Sequence, residues 1–216
     1  PMVPTTVQGM KELVEANDDT KTDLTTEFAK REKISIGEDL IAGVRVSRVS
    51  STRTASEHAD HLFVHVHGGG FIAGAGLAGT AEAVVLASFL KMPILSVDYR
   101  MAPDFPAPAG MDDIIAVWSG IVKTRPAAAT VPGGTSAGGT LTLVATLRMK
   151  ELGLPLPAAL FVGSPAVDLA KRGDMRFIND GIDHTLVNWG KVEYPVALYV
   201  GDKSYEDPYI SPIFGE

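Results

Sequence analysis

Gly134-Thr135-Ser136-Ala137-Gly138 lies between an apolar stretch at residues 127–131 and a run with helical spacing at 141–152. A strand that becomes a helix within five residues needs a backbone so tight that its flanking positions favour glycine, as at Gly134 and Gly138. Such a turn lifts the central hydroxyl above the sheet, and the helix N-terminus beneath it favours developing negative charge. Ser136 is therefore a candidate nucleophile. The same five residues also fit an ordinary small-residue turn at a helix start, so the motif needs support from elsewhere in the chain.

Support comes from the N-terminal side. His67-Gly68-Gly69-Gly70-Phe71 directly follows a strand candidate at 62–66. Consecutive glycines let backbone N–H groups approach a ligand oxygen without side-chain obstruction. The N–H groups of Gly69 and Gly70, with that of Ala137, would form the oxyanion hole that acyl transfer requires. A lone glycine triplet reads as a flexible loop. Paired with an elbow one strand-helix-strand-helix later, it reads as the other half of one site.

Between and beyond these motifs the chain alternates. Strand candidates at 62–66, 93–97, 127–131 and 158–162 are interleaved with helices at 81–90, 114–122 and 141–152, the last ending at Gly153. Short connections between alternating elements predict an α/β fold, with a mostly parallel sheet covered by helices on both faces. Pro132 lacks a donor, which predicts that strand pairing stops there. The first forty residues are polar and helical in pattern, with capping-box spacing at Thr5 and Gln8 and one apolar face at Val7, Met10, Leu13 and Val14. Leu24 and Phe28 form a weaker pair, and 44–49 is an imperfect strand. The segment 168–209 breaks the rhythm and reads as an insertion over the sheet, with a further strand candidate at 196–200.

Four motifs now stand in order: His-Gly-Gly-Gly-Phe at 67–71, Asp98-Tyr99-Arg100-Met101-Ala102-Pro103, Gly-Thr-Ser-Ala-Gly-Gly at 134–139, and Ser164-Pro165-Ala166-Val167-Asp168. Asp207-Pro208-Tyr209-Ile210-Ser211-Pro212 comes after them. The series resembles the hormone-sensitive-lipase-like (bacterial family IV) carboxylesterases of the α/β-hydrolase superfamily. Thr135 before the serine places it nearer the Gly-Thr-Ser-Ala-Gly subgroup. The resemblance implies an α/β-hydrolase fold with a helical cap: residues 1–45 as N-terminal cap helices, 46–168 as core, 169–209 as a second cap segment and 210–216 as a return to the core. It implies hydrolysis of short- to medium-chain acyl esters through Ser136 and an acyl-enzyme, without a cofactor. Gly69, Gly70 and Ala137 would hold the oxyanion, His67 and Gly68 would anchor the loop, and Asp98 and Arg100 would brace it.

In this fold the triad runs serine, acid, histidine, with the last two on loops after later strands. The one histidine after Ser136 is His184, beside Asp183 in the presumed cap, and it reads as solvent-facing. Asp168 and Asp202 read as structural or exposed. The resemblance therefore implies that the last strands and the triad Asp and His lie beyond Glu216, so that this chain alone is inactive. Its own C-terminal fragment, as a second chain, would be a partner, and the family is compatible with a homodimer.

Composition narrows the classes. A chain of 216 residues supports one sizeable core, burying roughly 70% of the surface that the unfolded chain exposes. Without cysteine it forms no disulfide and no thiolate metal site. A net charge of −7 argues against a nucleic-acid partner. No apolar run approaches the roughly 20 residues of a membrane span, and Pro1-Met2-Val3-Pro4 begins no signal peptide. The expectation is a soluble cytoplasmic protein.

Two other readings remain open. Gly74-Ala75-Gly76-Leu77-Ala78-Gly79 fits G-x-G-x-x-G before a helix, and Asp98 ends the next strand, as in an NAD-dependent oxidoreductase. Yet the first glycine of that fingerprint should follow the strand almost at once, and here the glycine triplet intervenes. The second reading is an esterase-like small-molecule binding protein without a catalytic base. His65 and His67 face the same way on a strand, and His58 and His61 are three apart, but no third ligand joins either pair, so no metal site is read. His65 reads as buried and hydrogen-bonded, His58 and His61 as exposed, and Met10, Met111 and Met149 as core.

Overall fold

The computed structural model describes residues 4–182 and 190–215. Among them six strands form one sheet: β1 (Ile34–Ile41), β2 (Val44–Ser51), β3 (Leu62–Val66), β4 (Ile94–Val97), β5 (Thr130–Thr135) and β6 (Phe161–Gly163). Their spatial order is β1-β2-β4-β3-β5-β6. The pairings β4-β3, β3-β5 and β5-β6 are parallel, whereas β1-β2 and β2-β4 are antiparallel. The helices are α1 (Val7–Glu32), α2 (Ala81–Leu90), α3 (Ala109–Ile121), α4 (Ala137–Glu151), α5 (Met175–Ile178) and α6 (Gly190–Val200). None among the described residues is long and apolar enough to cross a membrane.

Alternation along the strands divides the core. Leu62, Val64 and Val66 of β3, with Leu95 and Val97 of β4, share one cluster with Ile114, Val117 and Trp118 of α3 and Leu141 and Val144 of α4. Phe63 and Ile94 face the other way, against Ala83, Val84 and Ala87 of α2. Both faces of the parallel strands are thus covered, which is why these strands are apolar throughout rather than at every second residue. Met10, Met111 and Met149 are all buried.

Several local expectations change. The first helix is single and is capped by Thr6 rather than Thr5: the Thr6 hydroxyl accepts from Gly9 N–H at 3.2 Å. Of its expected apolar face only Met10 is buried, and Leu13 and Leu24 are exposed. The helical pattern ends at Lys33, which turns left-handed (φ 56°) and donates to Ala29 and Lys30 carbonyls. The next element is β1, not a second helix, and it pairs along its whole length with β2. Pro132 does not end the pairing. β5 continues to Thr135, and its pairing with β6 begins only at Gly133, so the missing donor falls before that ladder starts. The stretch 127–129 is a short 3-10 turn leading into β5, and 196–200 is the end of α6 rather than a strand.

Candidate active site

Ser136 sits between β5 and α4 at φ 57° and ψ −124°, a conformation that non-glycine residues rarely adopt. Such backbone strain costs on the order of 1–3 kcal/mol and persists only where the surroundings over-determine it. Here they do. Ser136 N–H donates to the Gly163 carbonyl at 2.8 Å, and Thr140 N–H to the Ser136 carbonyl at 3.0 Å. A Cβ on Gly134 would lie 1.8 Å from the Val66 carbonyl oxygen, and one on Gly138 only 1.9 Å from it. β5 and α4 therefore approach the end of β3 more closely than any side chain allows. Ser136 itself is exposed, while Ala137 is buried in the first turn of α4, where backbone N–H groups have no partner within the helix.

The glycine loop meets the elbow directly. A Cβ on Gly68 would stand 2.8 Å from the Thr135 carbonyl oxygen and 3.5 Å from Ser136 Cβ. Gly69, at φ 131°, would place a Cβ 2.1 Å from the Ala73 carbonyl oxygen, and Gly70 lies at φ 62°. A side chain at Gly69 would meet backbone, and one at Gly70 would be held in the left-handed region. The two motifs, sixty-odd residues apart in sequence, thus meet where Gly68 packs on Thr135 and Ser136.

His67 anchors this loop from below. Its Nδ1–H donates to the Gly68 carbonyl at 2.8 Å, and its ring stacks on Tyr99 at 4.2 Å between centroids. The Tyr99 hydroxyl donates to the His67 carbonyl at 2.8 Å. Burial pushes the imidazole down to about 4, against the hydrogen bond to Gly68, so the ring is neutral at pH 7. Its Nε2 is buried and has no hydrogen-bond partner.

Three charged groups hold the outer side. Asp98 accepts from Gly76 N–H at 3.0 Å and pairs with Arg45 at 2.9 Å. Arg100 is bidentate on Asp113 and also donates its backbone N–H to it. Asp18, on α1, accepts from Gly74 N–H at 2.8 Å and Ala75 N–H at 3.1 Å. Sequence reading missed Asp18, because nothing in a polar helix marks which carboxylate reaches a loop 56 residues away. From α6, Tyr199 stacks on Phe71 at 3.9 Å, and Pro195 lies nearest to Gly70.

Other candidates fall elsewhere. Asp183 and His184 lie outside the described residues. Asp168 accepts from Arg172 N–H, and Asp202 is exposed and pairs with Lys203. His58 and His61 pack edge-on at 5.6 Å. His65 is fully buried and hydrogen-bonded at both nitrogens. The G-x-G-x-x-G spacing has its own explanation: a Cβ on Gly74 would lie 2.6 Å from His67 Nδ1, and one on Gly79 would lie 2.8 Å from His67 Cδ2. Two of its glycines make room for the anchor ring.

The chain is similar to known hydrolases. It is 28% identical over 191 residues to an esterase of Acinetobacter venetianus, spanning 88% of this chain and 61% of that one. It is 28% identical over 152 residues to the hormone-sensitive lipase of Bos taurus, spanning 68% of this chain but 20% of the lipase. The crystal structure of esterase E25 superposes with a TM-score of 0.93 at 40% identity, over 99% of this chain and 65% of that one. The chain thus spans less than two thirds of the length of these relatives. A family model described as the alpha/beta hydrolase fold matches residues 63–216, from β3 through the elbow. With that match over most of its length, the chain belongs to the alpha/beta hydrolase fold family.

Proposed function

We propose that the protein to which this chain belongs is a carboxylic ester hydrolase acting on short- to medium-chain acyl esters, with Ser136 as its nucleophile. The observation that carries the reading is the strained, exposed Ser136, held against a glycine loop in which a Cβ at Gly68 or Gly69 would run into backbone. Its hydroxyl oxygen attacks the ester carbonyl carbon and passes its proton to a general base. The N–H groups of Gly69, Gly70 and Ala137 donate to the developing oxyanion, the alcohol departs, and water then releases the acid from the acyl-serine.

The acid and histidine of the triad belong, on this reading, to the part of the relatives' length that this chain does not span. The β6 edge supports it: Phe161 and Val162 are exposed there. A nearby groove of about 420 Å³ is lined by Leu143, Leu147, Leu156, Leu160 and Ile213. Further strands and a helix would cover this apolar surface. Residues 169–209 and α1 act as a cap, a role supported by the Phe71–Tyr199 stack and the Asp18 tether to the glycine loop.

A fluorophosphonate probe with intact-mass spectrometry tests the proposal. The complete protein is expected to gain one adduct, on Ser136, and to hydrolyse p-nitrophenyl butyrate. Ser136→Ala should lose the adduct and roughly 10⁶-fold in kcat. An adduct on another residue, or turnover that survives Ser136→Ala, rules Ser136 out as nucleophile. This chain by itself should label far more slowly than the complete protein.

A further inference from the structure

The sheet face at Phe63 and Ile94 packs on Ala83, Val84 and Ala87 of α2 as an apolar layer, yet a line of polar side chains crosses it. Ser96 of β4 is 3% exposed and His65 of β3 is 0% exposed. Strand alternation puts both on the α2 side, where burying a polar group is costly unless it is bonded. Ser96 Oγ lies 2.8 Å from His65 Nδ1, and His65 Nε2 lies 3.2 Å from Glu82 Oε2 on α2. The other Glu82 oxygen accepts from the Thr135 hydroxyl.

With Glu82 ionised, the donors have one consistent direction. Ser96 donates to Nδ1, His65 Nε2–H donates to one carboxylate oxygen, and Thr135 donates to the other. Burial works against the Glu82 charge, but the bonds from His65 and Thr135 prevail and hold its carboxyl below the usual range. The line therefore ends on a fixed anion that grips the residue immediately before Ser136. On its far side the Thr135 hydroxyl packs against Gly163, where a Cβ would lie 2.8 Å from it. Gly163 is also the residue whose carbonyl receives Ser136 N–H.

We infer that Glu82 is a positioning residue for Ser136: through the Thr135 hydroxyl it fixes the backbone entering the elbow, and so the direction of the serine oxygen. This rests on the reading of Ser136 as nucleophile. Glu82 touches no reacting atom. Its effect is on orientation, where a displacement of about 1 Å costs on the order of 10²-fold in rate.

The test uses the complete protein with p-nitrophenyl butyrate and the fluorophosphonate probe, alongside a thermal melt. Thr135→Val keeps the shape and removes the donor, and should lower kcat and the labelling rate by ~10- to 100-fold, leaving KM within about twofold. Thr135→Ser restores the donor and should recover most of the rate. Glu82→Ala should match Thr135→Val, and the double variant Glu82→Ala/Thr135→Val should lose no more than either alone, because both act through one bond. Glu82→Gln still offers an oxygen to Thr135 and, with His65 in its other tautomer, satisfies the line without charge. It should stay close to the parent, and it serves as the readout if Thr135→Val fails to fold. A folded Thr135→Val at parental kcat, an additive double variant, or a Glu82→Gln as slow as Glu82→Ala overturns the inference. A parent that labels normally beside those results isolates the failure to Glu82, whereas an unlabelled parent removes the nucleophile reading and this inference with it.

Discussion

Two glycine-rich segments of this chain obey the same spacing rules in sequence and different physics in the fold. In the elbow, Gly134 and Gly138 adopt ordinary backbone angles and are required because the Val66 carbonyl presses on both, at 1.8 and 1.9 Å from any added Cβ. In the turn at 74–79, Gly74 and Gly79 make room for the His67 ring, while Gly76 faces open space and is required only by its φ of +59°. One segment is glycine because main chain meets main chain in mid-sheet. The other is glycine because a buried ring, the turn's own Gly74 carbonyl and a left-handed backbone must all be accommodated. A motif made of glycines therefore does not declare its function until the neighbour that excludes the side chain is known.

The contrast is tested hardest at the elbow. Gly134→Ala and Gly138→Ala force a methyl group into a carbonyl that strand β3 cannot move, since Val66 is fully buried and paired with β4. Each should cost at least ~4 kcal/mol, which places it in the rare tail of single substitutions. The expected outcome is a collapse of the soluble folded fraction, or a urea midpoint far below the parent's. A loss of under about 1 kcal/mol in either variant would mean that the two chain segments do not approach as closely as described.

The second difference is in charge. The 74–79 turn packs around an imidazole held at about 4, whereas the elbow glycines pack on an amide. In the unfolded chain the same histidine titrates near 6.5, so between pH 4 and 6.5 the unfolded state binds more protons and stability rises with pH. The contribution is fully present above about pH 6.5 and is lost as pH falls toward 4, amounting to about 3 kcal/mol. Urea unfolding at pH 7, 5.5 and 4.5 should show this slope in the parent and lose much of it in His67→Asn, which keeps a donor for the Gly68 carbonyl. Carboxylates that titrate lower act in both proteins alike. Equal slopes would mean that His67 is not buried neutral.

Much of the site was legible because its constraints are local. The elbow and the glycine loop each compress their requirements into five consecutive residues, and strand alternation places them at neighbouring strand ends. What escaped was set at long range. The Asp18 tether and the Glu82–Thr135 bond join residues 56 and 53 positions apart; α1 displays many carboxylates with equal claim, and the single carboxylate of α2 carries no local mark of the strand end it reaches. The first strand of the N-terminal hairpin, β1, escaped for another reason, and its partner β2 was legible only as an imperfect strand at 44–49. Ile34, Ile36 and Val49 alternate weakly beside Arg48, Glu38 and Asp39, as an antiparallel margin with one solvated face does, and so lack the continuous apolar run of the inner strands. Pro132 misled because a missing donor was counted without knowing which neighbour it faced.

The smallest effects separate the two causes within the 74–79 turn. Gly79→Ala brings a Cβ to 2.4 Å from the Gly74 carbonyl oxygen and 2.8 Å from His67 Cδ2, so the turn and the ring must give way together. Overpacking of this kind costs about 2 kcal/mol. Gly76→Ala meets nothing within 4 Å, and its cost is only that of holding a Cβ in the left-handed region, about 1 kcal/mol. Gly76→Asn should cost less than Gly76→Ala, because a short polar side chain tolerates that region. The Gly76 N–H to Asp98 bond survives in both, so these variants report conformation alone. The urea midpoint should therefore be highest for Gly76→Asn, intermediate for Gly76→Ala and lowest for Gly79→Ala. If Gly76→Ala proved as damaging as Gly79→Ala, contact with His67 would not be what makes this turn glycine, and the distinction from the elbow would rest on backbone angle alone.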